Sequence, residues 1–337
     1  MRKEINNISC VGSGTIGAGW IARLLVNKIK VKVYDLTPFQ ETRLKIVIEN
    51  TKSAYKNLFP NKKINFENFE YYNEISPAVE NADLVIESVP ERLDIKQEVF
   101  KKIEEVCSKR TIIASSTSGI KPTDLQKNMQ NPERLMVTHP FNPVYLIPLV
   151  EVVGGTKTKG NFIKKMIDFL NSIDMKPILL EKEIEAFVAD RLLEAIWRES
   201  LWLIKDGICT TKQLDDIVRY GFGLRYAQMG VFQTYRTAAG EGGMRQFLEH
   251  FGPCLSLPWT KLMDVPEFNN ELIDLISNQS DTQANGLSVT ELEQIRDKNL
   301  VEIQKALEKN NYGAGKLIKK SPRKSSTLIL LEIINGI

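Results

Sequence analysis

His139 is one of only two histidines in a chain of 337 residues, and Glu151 follows it by twelve positions. An imidazole and a carboxylate in contact form an acid–base pair. The ring moves a proton, while the carboxylate sets its tautomer and stabilises the imidazolium. The stretch 138–153, THPFNPVYLIPLVEVV, offers a way for them to meet. RLMVTH reads as a short apolar strand ending on the histidine. Pro140, Pro143 and Pro148 then impose loop or extended backbone. LVEVV alternates like a returning strand and puts Glu151 on a definite face. A core histidine with an unrelated surface glutamate would show the same spacing, so the pair needs support from the rest of the chain.

That support starts near the N-terminus. INNISCVGSGTIGAGW reads as strand, glycine turn and helix, with Gly12-x-Gly14-x-x-Gly17 at the turn. Gly12 permits the tight turn, Gly14 lets a pyrophosphate approach the backbone, and Gly17 allows close strand–helix packing. The helix N-terminus offers free N–H groups and positive dipole to phosphates. A second strand, KVKVYD, ends on Asp35, where the dinucleotide fingerprint places an acid for the ribose hydroxyls. A carboxylate there would repel a 2′-phosphate, so the cofactor expected is NAD rather than NADP. Gly12, Ser13, Gly14, Thr15, Ile16, Gly17 and Asp35 are its candidate contacts.

Further elements alternate. A helix is expected over 38–59, followed by a polar connection without a repeat, PNKKINFENFE. Next come a buried strand ADLVIESVP, an amphipathic helix ERLDIKQEVFKKIEEV, and a strand TIIASSTSGI running into a small-residue turn. The His139 and Glu151 strands, a helix near 158–171 and a closing strand KPILLEKE complete the series. This pattern predicts an α/β fold: a mainly parallel, doubly wound sheet of the Rossmann type, followed by an all-helical C-terminal domain. Ligands of such sheets sit at strand carboxyl ends, which groups Glu87–Glu91, Ser115–Ser118 and His139. After about residue 183 the strands stop. EAFVADRLLEAIWRESLWLIKDG reads as one long helix, so the expected domains are 1–183 and 184–337. Trp197, Trp202 and Trp259 lie in the second part with Tyr220, Phe222, Tyr226, Phe232 and Tyr235. Such aromatics are either core, subunit interface or faces for a ligand.

Lys and Arg number 45 against 42 Asp and Glu, which gives no reason to expect nucleic acid or an anionic membrane. Cys10, Cys107, Cys209 and Cys254 lie far apart without a CxxC pair, so reduced thiols are expected rather than a metal site. There is no signal-peptide apolar block and no run of membrane-spanning length, and a soluble, cytoplasmic protein is expected.

GSGTIG, VIESVPERLDIK, SSTSGI, HPFNPVYLIPLVEVV and FVADRLLEA, in this order and spacing, resemble the 3-hydroxyacyl-CoA dehydrogenase family over nearly the whole chain. The resemblance implies an NAD-binding domain, a helical domain that forms a homodimer, and His139 and Glu151 as the proton-transferring pair. It further implies that Ser118 contacts the substrate oxygen and that Glu91 and Lys96 line the nicotinamide and ribose. Two departures stand out. Asp190 replaces the family's asparagine, and GFGLRYAQMGVFQTYR stands where the acyl-CoA enzymes read MGPFEL, which counts against a CoA thioester substrate. HPFNPVYLIPLVEVVGG, EIEAFVADRLLEAIWRESLWLI, FGLRYAQMGVFQTYR and FGPCLSLPWTK are similar to the branch that oxidises L-carnitine at C3. Some members of that branch carry an added C-terminal thioesterase-like domain, for which this chain is expected to be too short. A gulonate-oxidising, λ-crystallin-like branch stays open as an alternative, as do another 3-hydroxy acid and a non-catalytic NAD-binding protein. For a free carboxylate the fork of Arg225, with Tyr226 beside it, is the candidate; an interface ion pair is the alternative for Arg225. Asp190 either adds negative potential near a quaternary ammonium or is purely structural.

Overall fold

In a computed structural model, the described residues are 5–59, 63–227, 230–238, 247–249, 260, 269–272, 274, 275, 278, 282, 285–287, 289–311, 315 and 318. Trp259 and Cys254 lie outside them. The strands are β1 (Ile8–Val11), β2 (Val31–Tyr34), β3 (Phe69–Tyr72), β4 (Leu84–Glu87), β5 (Ile112–Ser115), β6 (Leu135–Pro140), β7 (Leu149–Gly154) and β8 (Lys176–Leu180). They form one sheet in the order β3-β2-β1-β4-β5-β6-β7-β8. Every neighbouring pair is parallel except β6 with β7. Short runs such as ISCV, LVIE and IIAS are buried at every position, as strands covered on both faces require.

The chain starts at β1, moves outward to β3, then returns to β4 on the other side of β1. The strand order therefore reverses between β1 and β4, and a crevice opens at their carboxyl ends. The helices covering the faces include α1 (Thr15–Val26), α2 (Pro38–Leu58), α3 (Ile75–Val79), α4 (Leu93–Val106), α5 (Pro122–Gln126) and α6 (Gly160–Ser172). One apolar cluster joins Trp20, Leu24, Ile86, Met136 and Val152; the other joins Val11, Phe100, Ile113, Val137 and Phe187. Cys10, Cys107 and Cys209 are free thiols. Burial raises the Cys10 thiol and pushes Cys107 up to about 11.

Two elements differ from the sequence expectation. The connection after α2 contains strand β3, an edge strand whose Tyr71 and Tyr72 pair with β2 although acidic residues surround them. The long helix also begins later than EAFVADRLL implies, as α7 (Ala189–Lys205). Ala186 and Phe187 have φ of 59° and 49°, in the left-handed region, and an α-helix cannot run through them.

Proximity between Cα atoms groups the described chain into two units. The first holds the sheet through Phe187 together with Arg296–Glu308. The second holds the described residues from Val188 to Ile295, including α7, α8 (Thr211–Tyr220), α9 (Phe222–Tyr226) and α10 (Val231–Ala238). Helix α11 (Val289–Lys309) supplies the segment that joins the first unit. No helix among the described residues is long and apolar enough to cross a membrane.

Candidate active site

The glycine turn is built by close contact. Gly12 has φ of 94°, and a Cβ there would lie 2.6 Å from the Ser88 carbonyl oxygen at the end of β4. A Cβ on Gly17 would lie 1.9 Å from the Gly12 carbonyl oxygen, so α1 can sit this close to β1 only with glycine at both places. Gly14 is the N-cap of α1 with no side-chain cap, and a Cβ there would meet only the Gln40 side-chain oxygen, at 3.9 Å. Asp35 closes the opposite wall. Its carboxylate accepts from the Ser13 backbone N–H at 2.7 Å, the Ser13 hydroxyl at 3.1 Å and the Thr37 N–H at 3.0 Å. A cavity of about 530 Å³ lies between these groups, lined by Gly12, Gly14, Thr15, Ile16, Asp35 and Ser88 among others. A glycine cradle, an uncapped helix N-terminus and a carboxylate at the end of β2 fit a dinucleotide with a free 2′-hydroxyl.

β6 and β7 place the candidate acid–base pair. Their antiparallel register sets His139 directly opposite Glu151, and Nδ1 lies 2.9 Å from Oε2. Directly opposed residues on one face of an antiparallel pair are within side-chain reach, which turns the twelve-residue spacing into contact. His139 is 5% exposed and Glu151 3%. Phe141 and Phe187 flank the imidazole, with ring centroids 4.9 and 5.6 Å away. With Nδ1 directed at a carboxylate, the neutral ring carries its proton there, and Nε2 is the basic nitrogen.

The turn after β5 presents Ser118, which is exposed. Glu91 holds that turn: it accepts the Thr117 hydroxyl, the Ser118 N–H at 3.1 Å and the Gly119 N–H at 3.2 Å. Burial works to raise the Glu91 carboxyl. The Thr117 hydrogen bond and the Lys96 charge outweigh it, and the net shift is downward. Lys96 itself is almost wholly buried. Its ammonium meets Glu87 at 2.8 Å, the Val89 carbonyl at 3.2 Å and Glu91 at 3.3 Å. Three acceptors therefore surround its three donors. Glu87 also accepts from the Ser115 hydroxyl at 2.6 Å and the Val89 N–H at 2.7 Å. The structure thus brings Glu91, Lys96 and the Ser118 turn together in one network.

The sequence reading grouped Glu87 and Ser115 by strand ends but did not foresee the ion pair with Lys96. A glutamate closing an otherwise apolar strand, LVIE, was the available signal. Ser88 and Ser116 lie within the same grouped strand ends; their hydroxyls are 3.0 Å apart, with the buried Trp20 indole donating to Ser116 at 3.1 Å, a contact the spacing did not foresee. Asp190, Arg225 and Tyr226 belong to the second unit. Asp190 lies in the first turn of α7, where an acid suits the helix dipole. Arg225 and Tyr226 end α9, both exposed, and the Tyr226 ring packs on Phe222. Burial, aided by a hydrogen bond with Tyr235, pushes the Tyr226 phenol up. Among the described residues no cluster of His, Cys, Asp and Glu is arranged to hold a metal ion.

Residues 7–184 match the 3-hydroxyacyl-CoA dehydrogenase NAD binding domain, and residues 187–264 match the C-terminal domain of that family. The L-carnitine dehydrogenase of Mesorhizobium japonicum is 57% identical over 312 residues, 92% of this chain and 86% of the relative. An L-carnitine dehydrogenase/betainyl-CoA thioesterase of Agrobacterium fabrum is 52% identical, over 93% of this chain and 64% of its own length. The chain thus spans less than two thirds of that two-activity relative. Among solved structures, the NAD⁺-dependent dismutase 5-formyl-3-hydroxy-2-methylpyridine 4-carboxylic acid 5-dehydrogenase superposes with a TM-score of 0.75 at 28% identity. That match covers 90% of this chain and 99% of the other. The chain belongs to the 3-hydroxyacyl-CoA dehydrogenase family and is an NAD-dependent oxidoreductase acting on a CH–OH group.

Proposed function

We propose that the chain oxidises L-carnitine to 3-dehydrocarnitine. The observation that carries this reading is the 57% identity to an L-carnitine dehydrogenase across 92% of the chain. Bound NAD supplies the hydride acceptor. His139 takes the hydroxyl proton at Nε2 as the C3 hydride departs, so alcohol becomes ketone with one proton left on the ring. Glu151 keeps the ring oriented and stabilises the imidazolium; general-base help of this kind contributes roughly 10²–10⁴-fold. Ser118 hydrogen-bonds the alcohol oxygen, held there by the Glu91 network. Gly12, Ser13, Gly14, Thr15, Ile16 and Gly17 cradle the pyrophosphate, and Asp35 takes the ribose hydroxyls.

Carnitine has a carboxylate at one end and a quaternary ammonium at the other. Arg225, with Tyr226, binds the carboxylate, while Asp190 and aromatic faces attract the ammonium. Residues 1–183 serve the cofactor, and 184–337 serve substrate and a homodimer interface. The apolar residues Leu192, Leu193 and Trp197, each more than half exposed on α7, support such an interface. The protein works in the cytoplasm.

The test is NADH formation with L-carnitine, D-carnitine, L-gulonate and 3-hydroxybutyrate, each offered with NAD. Preference for L-carnitine supports the reading. Turnover of L-gulonate or 3-hydroxybutyrate without L-carnitine would replace it.

A further inference from the structure

Gly19 lies beyond the three glycines of the dinucleotide fingerprint, on α1, and the cofactor reading gives it no task. Its environment does. A Cβ on Gly19 would sit 3.0 Å from both Cβ and Cγ2 of Val144, tighter than ordinary van der Waals contact. Val144 is fully buried and belongs to the loop that joins His139 to Glu151. One turn further along α1, Arg23 donates from Nε to the Val144 carbonyl at 3.2 Å and from Nη1 to the Tyr55 hydroxyl at 3.0 Å. Tyr55 in turn donates to the Tyr145 carbonyl at 2.9 Å. Helix α11 holds the other side: Gln304 donates to the Leu146 carbonyl at 2.7 Å, and Tyr145 donates to Asp297. Three consecutive loop carbonyls thus each accept from a different helix. The loop has little freedom to yield.

We propose that Gly19 and Val144 form a steric register between the dinucleotide helix and the His139–Glu151 hairpin, which makes Gly19 a positioning residue for the reaction. The N-terminus of α1 is already pinned to β1 and β4 through Gly17 and Gly12. A methyl group at residue 19 therefore presses on the loop and leaves the glycine cradle in place. The loop gives by a few tenths of an ångström, and the imidazole moves relative to a cofactor seated on α1. This inference rests on His139 acting as the base, but not on carnitine being the substrate.

The test uses Gly19→Ala, an exchange that by helix propensity alone would stabilise α1. NAD affinity, read by protein fluorescence, is expected within about threefold of wild type, while kcat falls about tenfold on misplacement of the reacting groups. Adding Val144→Gly, which clears both contacts, should restore most of kcat, as coupled neighbours do. A readout that needs no turnover accompanies these. The His139 imidazole ¹⁵N resonances, assigned by comparison with His139→Gln, should shift in Gly19→Ala and return towards wild type in the double variant. Wild-type kcat with unmoved His139 resonances in Gly19→Ala overturns the register. Equal losses of NAD affinity and kcat overturn it too, by placing the effect in the cofactor site. If L-carnitine is not turned over, kcat is read on whichever 3-hydroxy acid the wild type oxidises, so the carnitine reading fails separately.

Discussion

Lys96→Met separates two tasks for a residue whose family resemblance implies contact with the nicotinamide ribose. The side chain is 1% exposed and its partner Glu87 is 0% exposed, so this is a desolvated ion pair. Methionine fills similar volume but leaves Glu87 buried without a cation and removes the charge beside Glu91. Breaking such a pair from one side typically costs about 3–5 kcal/mol. Glu87 keeps its bonds from Ser115 and Val89, which places the loss towards the lower figure, about 3 kcal/mol. At this chain length that corresponds to a Tm drop of roughly 4 °C. Urea denaturation checks the free energy, and NAD titration checks the cofactor site. The double variant Glu87→Gln, Lys96→Met should recover part of the loss, because the stranded charge is gone. A Lys96→Met protein that unfolds with wild type, yet binds NAD markedly more weakly, would refute the reasoning and make Lys96 a direct cofactor contact.

His139→Gln should abolish turnover while NAD binding persists, since the base lies outside the glycine cradle; fluorescence titration beside a steady-state assay checks both. Glu151→Gln should reduce kcat by less, because a neutral amide still orients the ring but no longer stabilises its positive charge. Asp35→Asn should narrow the preference for NAD over NADP, seen as a smaller ratio of kcat/KM values. Glu91 carries a pH prediction. Its carboxyl is lowered in the fold, so its contribution is complete above the ordinary glutamate value and is lost as pH falls through the lowered one. Protection of the Ser118 and Gly119 amides, measured against their intrinsic exchange rates at each pH, should fall in that acid window, and Glu91→Gln should remove this dependence on pH.

Much of the cofactor half was legible along the chain. The glycine spacing, the strand before it and the acid at the end of KVKVYD are local features, and local sterics give them one meaning. The same holds for β4 to β8, whose apolar runs and turns announce themselves. β3 was not legible, because FEYY is recognisable as a strand only when an open edge of β2 is there to pair with it. The start of α7 was hidden for a related reason: helical periodicity in the sequence says nothing of left-handed φ at Ala186 and Phe187.

For the candidate acid–base pair, sequence alone supplied the two residue types and a strand–loop–strand between them. It did not establish that they meet. Side chains alternate along a strand, so a shift of one residue in the pairing of β6 and β7 would have put imidazole and carboxylate on opposite faces. Tertiary structure decided the register, and with it the 2.9 Å contact. The environment of Lys96 was decided in the same way. Its charge is written in the sequence, but its burial against Glu87 and Glu91 depends on α4 packing beside the carboxyl ends of β4 and β5, a non-local arrangement that no spacing encodes.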